Sequence, residues 1–309
     1  MTLSVLYYTL LNKAFFVDLR RIDAQAVLID KFLSHDMTGY DGTKLSDRKP
    51  LKACYVAASD TPGHESATVA MTDSYANAPA GSVAVIPLQG DMMKYGTMCS
   101  YGTEELAVKM REAADADTID GIRLDIDSGG GCIDAIAPLL DAISYCHIKG
   151  KAVVALCDLC ASAAYYVACH CDLVAAGNNV SAEFGSIGVM TQLVDYAKYY
   201  EQHGIKVHRI YSDLSSYKNE PFEAALKGDF KSVKNETLNP LARQFQEAVK
   251  RQRGERLDND AEGLLQGRMF FAADAIKVGL ADRICTASDA TELVRRLSAE
   301  RQLAAYVRS

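Results

Sequence analysis

From Gly81 onward, short apolar runs of strand length alternate with stretches whose apolar residues recur at helical spacing. Residues 82–88 read as a strand, 103–116 as a helix, 121–126 as a strand, 133–149 as a helix and 152–157 as a strand. Residues 163–171 then read as a helix, 173–176 as a strand, 193–203 as a helix and 207–211 as a strand. Further on, 240–253 reads as a helix and 255–266 as a charged connection, while 272–278 reads as a helix stopped by Gly279 as its C-cap. Strand and helix alternating in this way predict parallel strands joined by crossover helices, with both sheet faces covered, hence an α/β fold.

The first 80 residues break this rhythm. Residues 1–33 carry apolar groups at mixed spacing and predict a strand or short helix followed by an amphipathic helix. Residues 34–80 are rich in Gly, Asp, Thr, Ser and Pro and read as a linker. The expected division is an N-terminal extension and linker over 1–80, one main domain over 81–286, and a C-terminal helix or tail over 287–309. The apolar stretch 5–11 is followed by Asn12 and Lys13, lacks a basic flank and a small-residue cleavage site, and reads as a docking element. No apolar run nears the roughly 20 residues of a membrane helix, so the expectation is a soluble, cytoplasmic chain.

With 49% hydrophobic and 24% charged residues over 309 positions, the chain is of globular type rather than disordered. Its net charge of -7 removes any general attraction to nucleic acid or anionic lipid. Nine cysteines, an odd number without dense regular spacing, suggest a reducing compartment.

Three small-residue clusters fall at strand-to-helix junctions. Asp127-Ser128-Gly129-Gly130-Gly131 follows the strand 121–126, and successive glycines let backbone N–H groups converge on an anion or a developing oxyanion. A plain tight turn is the competing reading; a phosphate loop is disfavoured because the Lys and Ser/Thr of a Walker motif are missing. Cys160-Ala161-Ser162-Ala163-Ala164-Tyr165-Tyr166 enters the next helix. There Ser162 is either an ordinary N-cap or a nucleophile assisted by the helix N-terminus, with the N–H of Ala163 beside it. The third cluster is Gly185-Ser186-Ile187-Gly188-Val189. Beyond it a polar turn contains Lys218, which on its own would be a solvated surface residue.

Taken in order, these clusters resemble the serine peptidases of the signal peptide peptidase A type, particularly the phage head-maturation proteases, which share the Clp protease/crotonase fold. The resemblance runs from about Gly81 to Ile284. It is carried by 113–119, 121–131, 161–168, the motif 185–189, and Gly267-Arg268 through Ala275 to Gly279-Leu280-Ala281-Asp282. It implies a Clp/crotonase-like parallel sheet with crossover helices and a Ser/Lys dyad acting through an acyl-enzyme. Residue by residue, Ser162 matches the nucleophile, Lys218 the general base, and Ser186 the serine that orients that lysine. Gly131, with Gly130, and the N–H of Ala163 match the oxyanion hole. The chain departs from the family pattern in Gly129 for a proline, in Ala163-Ala164 for a glycine pair, and in having no glycine shortly before Lys218, which leaves Lys227 and Lys231 as competitors. A lysine is a base only when neutral, which requires burial or nearby positive potential; an exposed Lys218 would not meet that requirement.

The resemblance further implies a protein substrate, scaffold or capsid protein of an assembling phage head, processed in the cytoplasm or inside the prohead. It also implies a homo-oligomeric ring, with the N-terminal segment or the helix 240–253 at an interface. No cofactor, metal, nucleic acid or membrane is implied. Two alternatives stand beside it: a noncatalytic or acyl-CoA-binding protein of crotonase fold, and a bacterial protease that clears signal-peptide remnants. Cys157, Cys160, Cys169 and Cys171 could make a zinc site, but buried apolar roles are favoured. His147, His170, His203 and His208 form no metal-binding pair, Tyr165 and Tyr166 read as packing residues, and Asp115, Asp117 and Asp120 read as a solvated helix end. The run Lys250-Arg251-Gln252-Arg253 reads as an exposed helix face.

Overall fold

The computed structural model describes residues 15–17, 49–58, 68–96, 100–193, 195 and 197–308. The readings for 5–11 and for most of 1–48 lie outside these residues. The strands are β1 (Phe15–Val17), β2 (Ala53–Val56), β3 (Ala70–Thr72), β4 (Ser82–Gln89), β5 (Ile119–Ser128) and β6 (Gly130–Cys132). They continue with β7 (Val153–Ala161), β8 (Leu173–Ala176), β9 (Glu183–Gly185), β10 (Met269–Phe271) and β11 (Arg283–Ile284). The helices, numbered over the same residues, are α1 (Thr103–Asp115), α2 (Ile136–Ile148), α3 (Ala163–Ala168), α4 (Ala197–Gln202), α5 (Glu220–Leu226), α6 (Asn239–Arg253), α7 (Ala272–Lys277) and α8 (Ala287–Arg308).

The main sheet runs β10-β9-β7-β5-β4-β2-β3, and its centre is parallel. β7 serves two neighbours on one edge: residues 154–157 pair with β8 and residues 159–161 pair with β9. This is the α/β sheet with crossover helices that the alternation of periods implies. The sheet is wider than expected, because β2 and β3 join it antiparallel through β4. Residues 53–56 and 70–72 are thus not linker. Their apolar runs are only three or four residues long and sit among turn formers, so they carry little periodic signal.

The two faces of the sheet are covered differently. Ile122, Leu124 and Ile126 of β5 enter one core with Leu106 and Met110 of α1 and Leu139 and Ile143 of α2. Val83 and Val154 point the other way, to Ala290, Leu293 and Val294 of α8. Alternation along β5 puts Arg123 on this second face. Its buried guanidinium makes a bidentate pair with Asp125 (2.7 and 2.8 Å) and donates to the Ala287 carbonyl and Thr291 Oγ1, fixing the start of α8. Gly121 allows α8 to come close, since a Cβ there would lie 2.5 Å from Ser298 Oγ and Val294 Cγ1.

One expected strand does not form. Residues 207–211 have no regular structure and are exposed. Their apolar residues find no strand partner among the described residues, and a strand without ladder partners or a buried face has nothing to hold it.

Candidate active site

Ser162 is the residue between β7 and α3, at the carboxyl end of the parallel strands, where open α/β sheets place their crevices. Its backbone is in an unusual conformation, φ 56° and ψ -120°. That is costly for a residue with a Cβ and persists only where the surroundings enforce it. They do so here: the Ser162 N–H donates to the Gly185 carbonyl (2.8 Å) and its carbonyl accepts from the Tyr166 N–H (2.9 Å). Such a sharp strand-to-helix turn pushes a side chain out at the top of the sheet. The hydroxyl is not a helix cap, since it makes no capping hydrogen bond. It is buried, in a residue only 1% exposed, and has no hydrogen-bond partner. A buried hydroxyl without a partner is destabilising by about 1–3 kcal/mol, which a structural serine would avoid.

Next to this turn lies the glycine strand. Ser128 of β5 pairs with Cys160 of β7, so two residues further on β6 runs beside Ser162, and α3 packs against it. β6 is pinned along one edge by Met92, whose N–H donates to the Gly130 carbonyl and whose carbonyl accepts from the Cys132 N–H, both at 2.8 Å. The approach is so close that a Cβ on Gly131 would sit 2.1 Å from the Met92 carbonyl oxygen. Gly130 has φ 98°, which explains glycine there. Its N–H donates to Ser128 Oγ (3.1 Å), and that hydroxyl donates in turn to the Gly90 carbonyl (2.6 Å). Gly130 is committed in this way, and the Gly131 N–H lies on the edge of β6 away from Met92, where β1 pairs with Phe16 opposite Gly131. Ser128 was visible in the sequence only as part of the glycine cluster, and Met92, which holds this strand along one edge, carried no signal there.

Ser186 follows Gly185 directly and is therefore brought against the Ser162 turn. It too has a positive φ, 54°, and its N–H donates to the Arg268 carbonyl (3.2 Å). Gly185 cannot be replaced, because a Cβ would meet that same carbonyl oxygen at 2.2 Å. Among the described residues only Ser162, Ser186 and Asn219 are non-glycine residues with positive φ. All three lie at, or directly next to, the residues matched to the dyad, and strained backbone concentrates at functional sites.

Lys218 is in the turn before α5, where its N–H donates to the Ser215 carbonyl (3.0 Å), and its side chain is exposed. The single chain does not bury it as a neutral base requires. Lys227 and Lys231 are exposed as well and are no better placed. The surroundings of Lys218 are unusual, however: Ile210, Leu214 and Tyr217 are 91%, 96% and 88% exposed.

The Gly-Leu-Ala-Asp motif supports the site from behind. Tyr165 of α3 donates its hydroxyl to the Leu280 carbonyl (2.9 Å), and Arg253 donates to the Gly279 carbonyl (2.7 Å) and to both Asp282 oxygens (2.7 and 3.1 Å). Arg253 is thus a buried anchor and not part of an exposed face; the apolar side of α6 carries it inward with Phe245 and Val249. Burial is the largest single influence on Asp282 and opposes its charge, but the hydrogen bond and charge of Arg253, the Val174 N–H and the Arg256 charge together outweigh it and hold the carboxyl below its usual value. Tyr166 stacks on His170, with ring centroids 5.4 Å apart, and packs against Phe245. Cys157, Cys160 and Cys169 are fully or nearly fully buried, and burial pushes the Cys169 thiol up to about 12. Among the described residues no three His, Cys, Asp or Glu side chains converge to hold a metal ion, and no helix is long and apolar enough to cross a membrane.

The head-tail preconnector protein GP5 of Enterobacteria phage P21 is 31% identical over 220 residues, covering 69% of this chain and 42% of that protein. The capsid assembly protease C of Escherichia phage lambda is 27% identical over 231 residues, covering 69% of this chain and 48% of that one. The chain therefore spans less than half the length of these two relatives. Among solved structures, a membrane-bound stomatin-specific protease in complex with a substrate peptide matches 67% of this chain and 76% of its own, at 17% identity and a TM-score of 0.42. The model of peptidase family S49 matches residues 147–301, half of the chain and the part that carries Ser162, Ser186, Lys218 and Asp282, and the chain belongs to that family.

Proposed function

We propose that this protein is a serine endopeptidase in which Ser162 and Lys218 form the catalytic dyad. The observation that carries the reading is the Ser162 turn: a strained residue with a buried, unpartnered hydroxyl between a glycine strand and a helix N-terminus. Ser162 Oγ attacks the scissile carbonyl while its proton passes to the neutral Nζ of Lys218. The N–H groups of Gly131 and Ala163 hold the oxyanion, where such donors contribute most. The proton then moves from Lys218 to the departing amine, leaving an ester on Ser162. Water opens that ester, returning its proton through the lysine to the serine. Ser186 accepts from and orients Nζ.

Lys218 must be buried for this to work, and the apolar residues around it suggest how. Ile210, Leu214 and Tyr217 are exposed in the single chain, an arrangement expected of a surface that meets another subunit. We infer that chains associate through this segment into a closed homo-oligomer, a ring, and that association buries Lys218. The substrate is a protein bound as an extended strand. Given the phage relatives, scaffold or capsid protein in an assembling prohead is the candidate.

Hydrolysis of casein and of scaffold-derived peptides by wild type, Ser162→Ala and Lys218→Ala tests the dyad, with sedimentation establishing that each variant folds and assembles alike. Loss of activity in both variants is expected. Activity surviving in Ser162→Ala would overturn the mechanism, and activity surviving only in Lys218→Ala would move the base to Lys227 or Lys231.

A further inference from the structure

The strand that a substrate would join is already taken. β1 pairs antiparallel with β6 in the register Phe15 with Cys132, Phe16 with Gly131 and Val17 with Gly130. These residues lie more than a hundred positions away in sequence. β6 has two edges. On one, the Gly130 carbonyl and the Cys132 N–H are bonded to Met92. Backbone groups alternate along a strand, so the Gly131 N–H and carbonyl turn to the opposite edge, where Phe16 stands directly across. The Gly131 N–H is also the oxyanion donor of the proposed mechanism. One N–H cannot serve the Phe16 carbonyl and a tetrahedral intermediate together.

We propose that residues 15–17 act as an internal pseudo-substrate: they occupy the extended-peptide position on the free edge of the glycine strand and hold the enzyme latent until they are displaced. The inference rests on the peptidase reading above. Two further observations agree with it. Addition of a strand to an exposed sheet edge is a common way to recognise an extended peptide, with affinity from main-chain hydrogen bonds. Ser162 itself is closed off, at 1% exposure, although its turn, with φ 56° and ψ -120°, is already formed. In the resting chain the nucleophile is formed, while the place where a substrate backbone would be held is filled from within.

The test uses the full chain with Phe16→Pro, which removes the N–H facing the Gly131 carbonyl and cannot continue a ladder. Two quantities are read. One is hydrogen exchange at the Gly131 amide, followed also in the Ser162→Ala background so that it does not depend on catalysis. The other is the rate at which a fluorophosphonate probe labels Ser162. Both should rise about tenfold, the factor expected when a pair of individually modest backbone hydrogen bonds no longer competes. A synthetic peptide of residues 10–22 should then slow labelling of the variant, while a scrambled peptide should not. Unchanged exchange, or faster exchange with Ser162 labelled at the same measurable rate in both forms, would overturn the proposal. Faster exchange with no labelling of Ser162 in either form would mean that the peptidase reading had failed, not the strand contact. If Phe16→Pro proves unfolded, the triple variant Phe15→Gly, Phe16→Gly, Val17→Gly takes its place in the full chain: faster labelling of Ser162 is expected, and labelling at the wild-type rate would overturn the proposal.

Discussion

Replacing Gly131 with alanine should damage stability and catalysis together, and the structure sets the size of both effects. The new Cβ would lie 2.1 Å from the Met92 carbonyl oxygen, 2.6 Å from its nitrogen and 2.8 Å from its carbonyl carbon. All three are backbone atoms, so no side-chain rotation relieves the clash. Met92 and β6 must move apart, which breaks the two 2.8 Å bonds from the Met92 N–H to Gly130 and from the Cys132 N–H to Met92. Two lost hydrogen bonds at ~0.5–1.5 kcal/mol each, with ~1–3 kcal/mol for overpacking, give a destabilisation of about 2–6 kcal/mol. A displaced oxyanion donor should also lower kcat by about 10²–10³. Urea unfolding followed by circular dichroism gives the first quantity and peptide hydrolysis gives the second. Gly177→Ala is the control, because its Cβ would make only ordinary contact, 3.5 Å from the Cys157 carbonyl oxygen, and should change stability by no more than about 0.5–1 kcal/mol. If Gly131→Ala kept wild-type stability and rate, the close approach of Met92 and the role of the Gly131 N–H would both be wrong.

Three further outcomes follow from the same structure. Leu214→Asp, at a site 96% exposed in the single chain, should leave the urea midpoint of the isolated chain unchanged yet abolish both assembly, read by sedimentation, and peptidase activity. Arg123→Leu removes a buried guanidinium and its bonds to Asp125, Ala287 and Thr291. It should lower stability by about 3–5 kcal/mol and speed amide exchange at the start of α8. Asp282 has a folded pKa below its unfolded value near 3.9. Its contribution is therefore present above that value and is lost as pH falls through the folded one. Asp282→Asn should accordingly have a lower Tm at neutral pH and a flatter decline of Tm between pH 5 and pH 2.

What could be read from the sequence is what has a period. β4, β5, β7 and β8 were legible because buried parallel strands are nearly continuous apolar runs, and α1, α2 and α6 because their apolar stripes repeat at helical spacing. β2, β3, β9 and β10 were not, because a strand of three or four residues has no period to display and is defined by its ladder partners. Residues 207–211 failed for the opposite reason: they have the composition of a strand and no partner among the described residues. At the site, Ser162, Ser186 and the glycine cluster stood out at strand-to-helix junctions, and the structure brings them together through the Ser162 bond to Gly185. Arg253 was misread because a charged run near a helix end looks solvated until the partner, Asp282, is known to lie 29 positions on.

The state of the site is itself informative. The elbow at Ser162 and the glycine strand are held within one chain, by Gly185, Tyr166, Met92, Gly90, Ser128 and the β1 ladder. The base depends on something else, because Lys218 is in a turn whose apolar neighbours are left in solvent. Chemistry that needs a neutral lysine is thereby separated from folding. On the proposed mechanism, a chain would fold with Ser162 in place and stay inert until Lys218 is buried and the edge of β6 is released from residues 15–17. For a peptidase whose substrate is proposed to be a component of the shell around it, that separation has a physical use. Activity would then be set by local concentration, which is high inside an assembling particle and low outside it, and not by the synthesis of the chain.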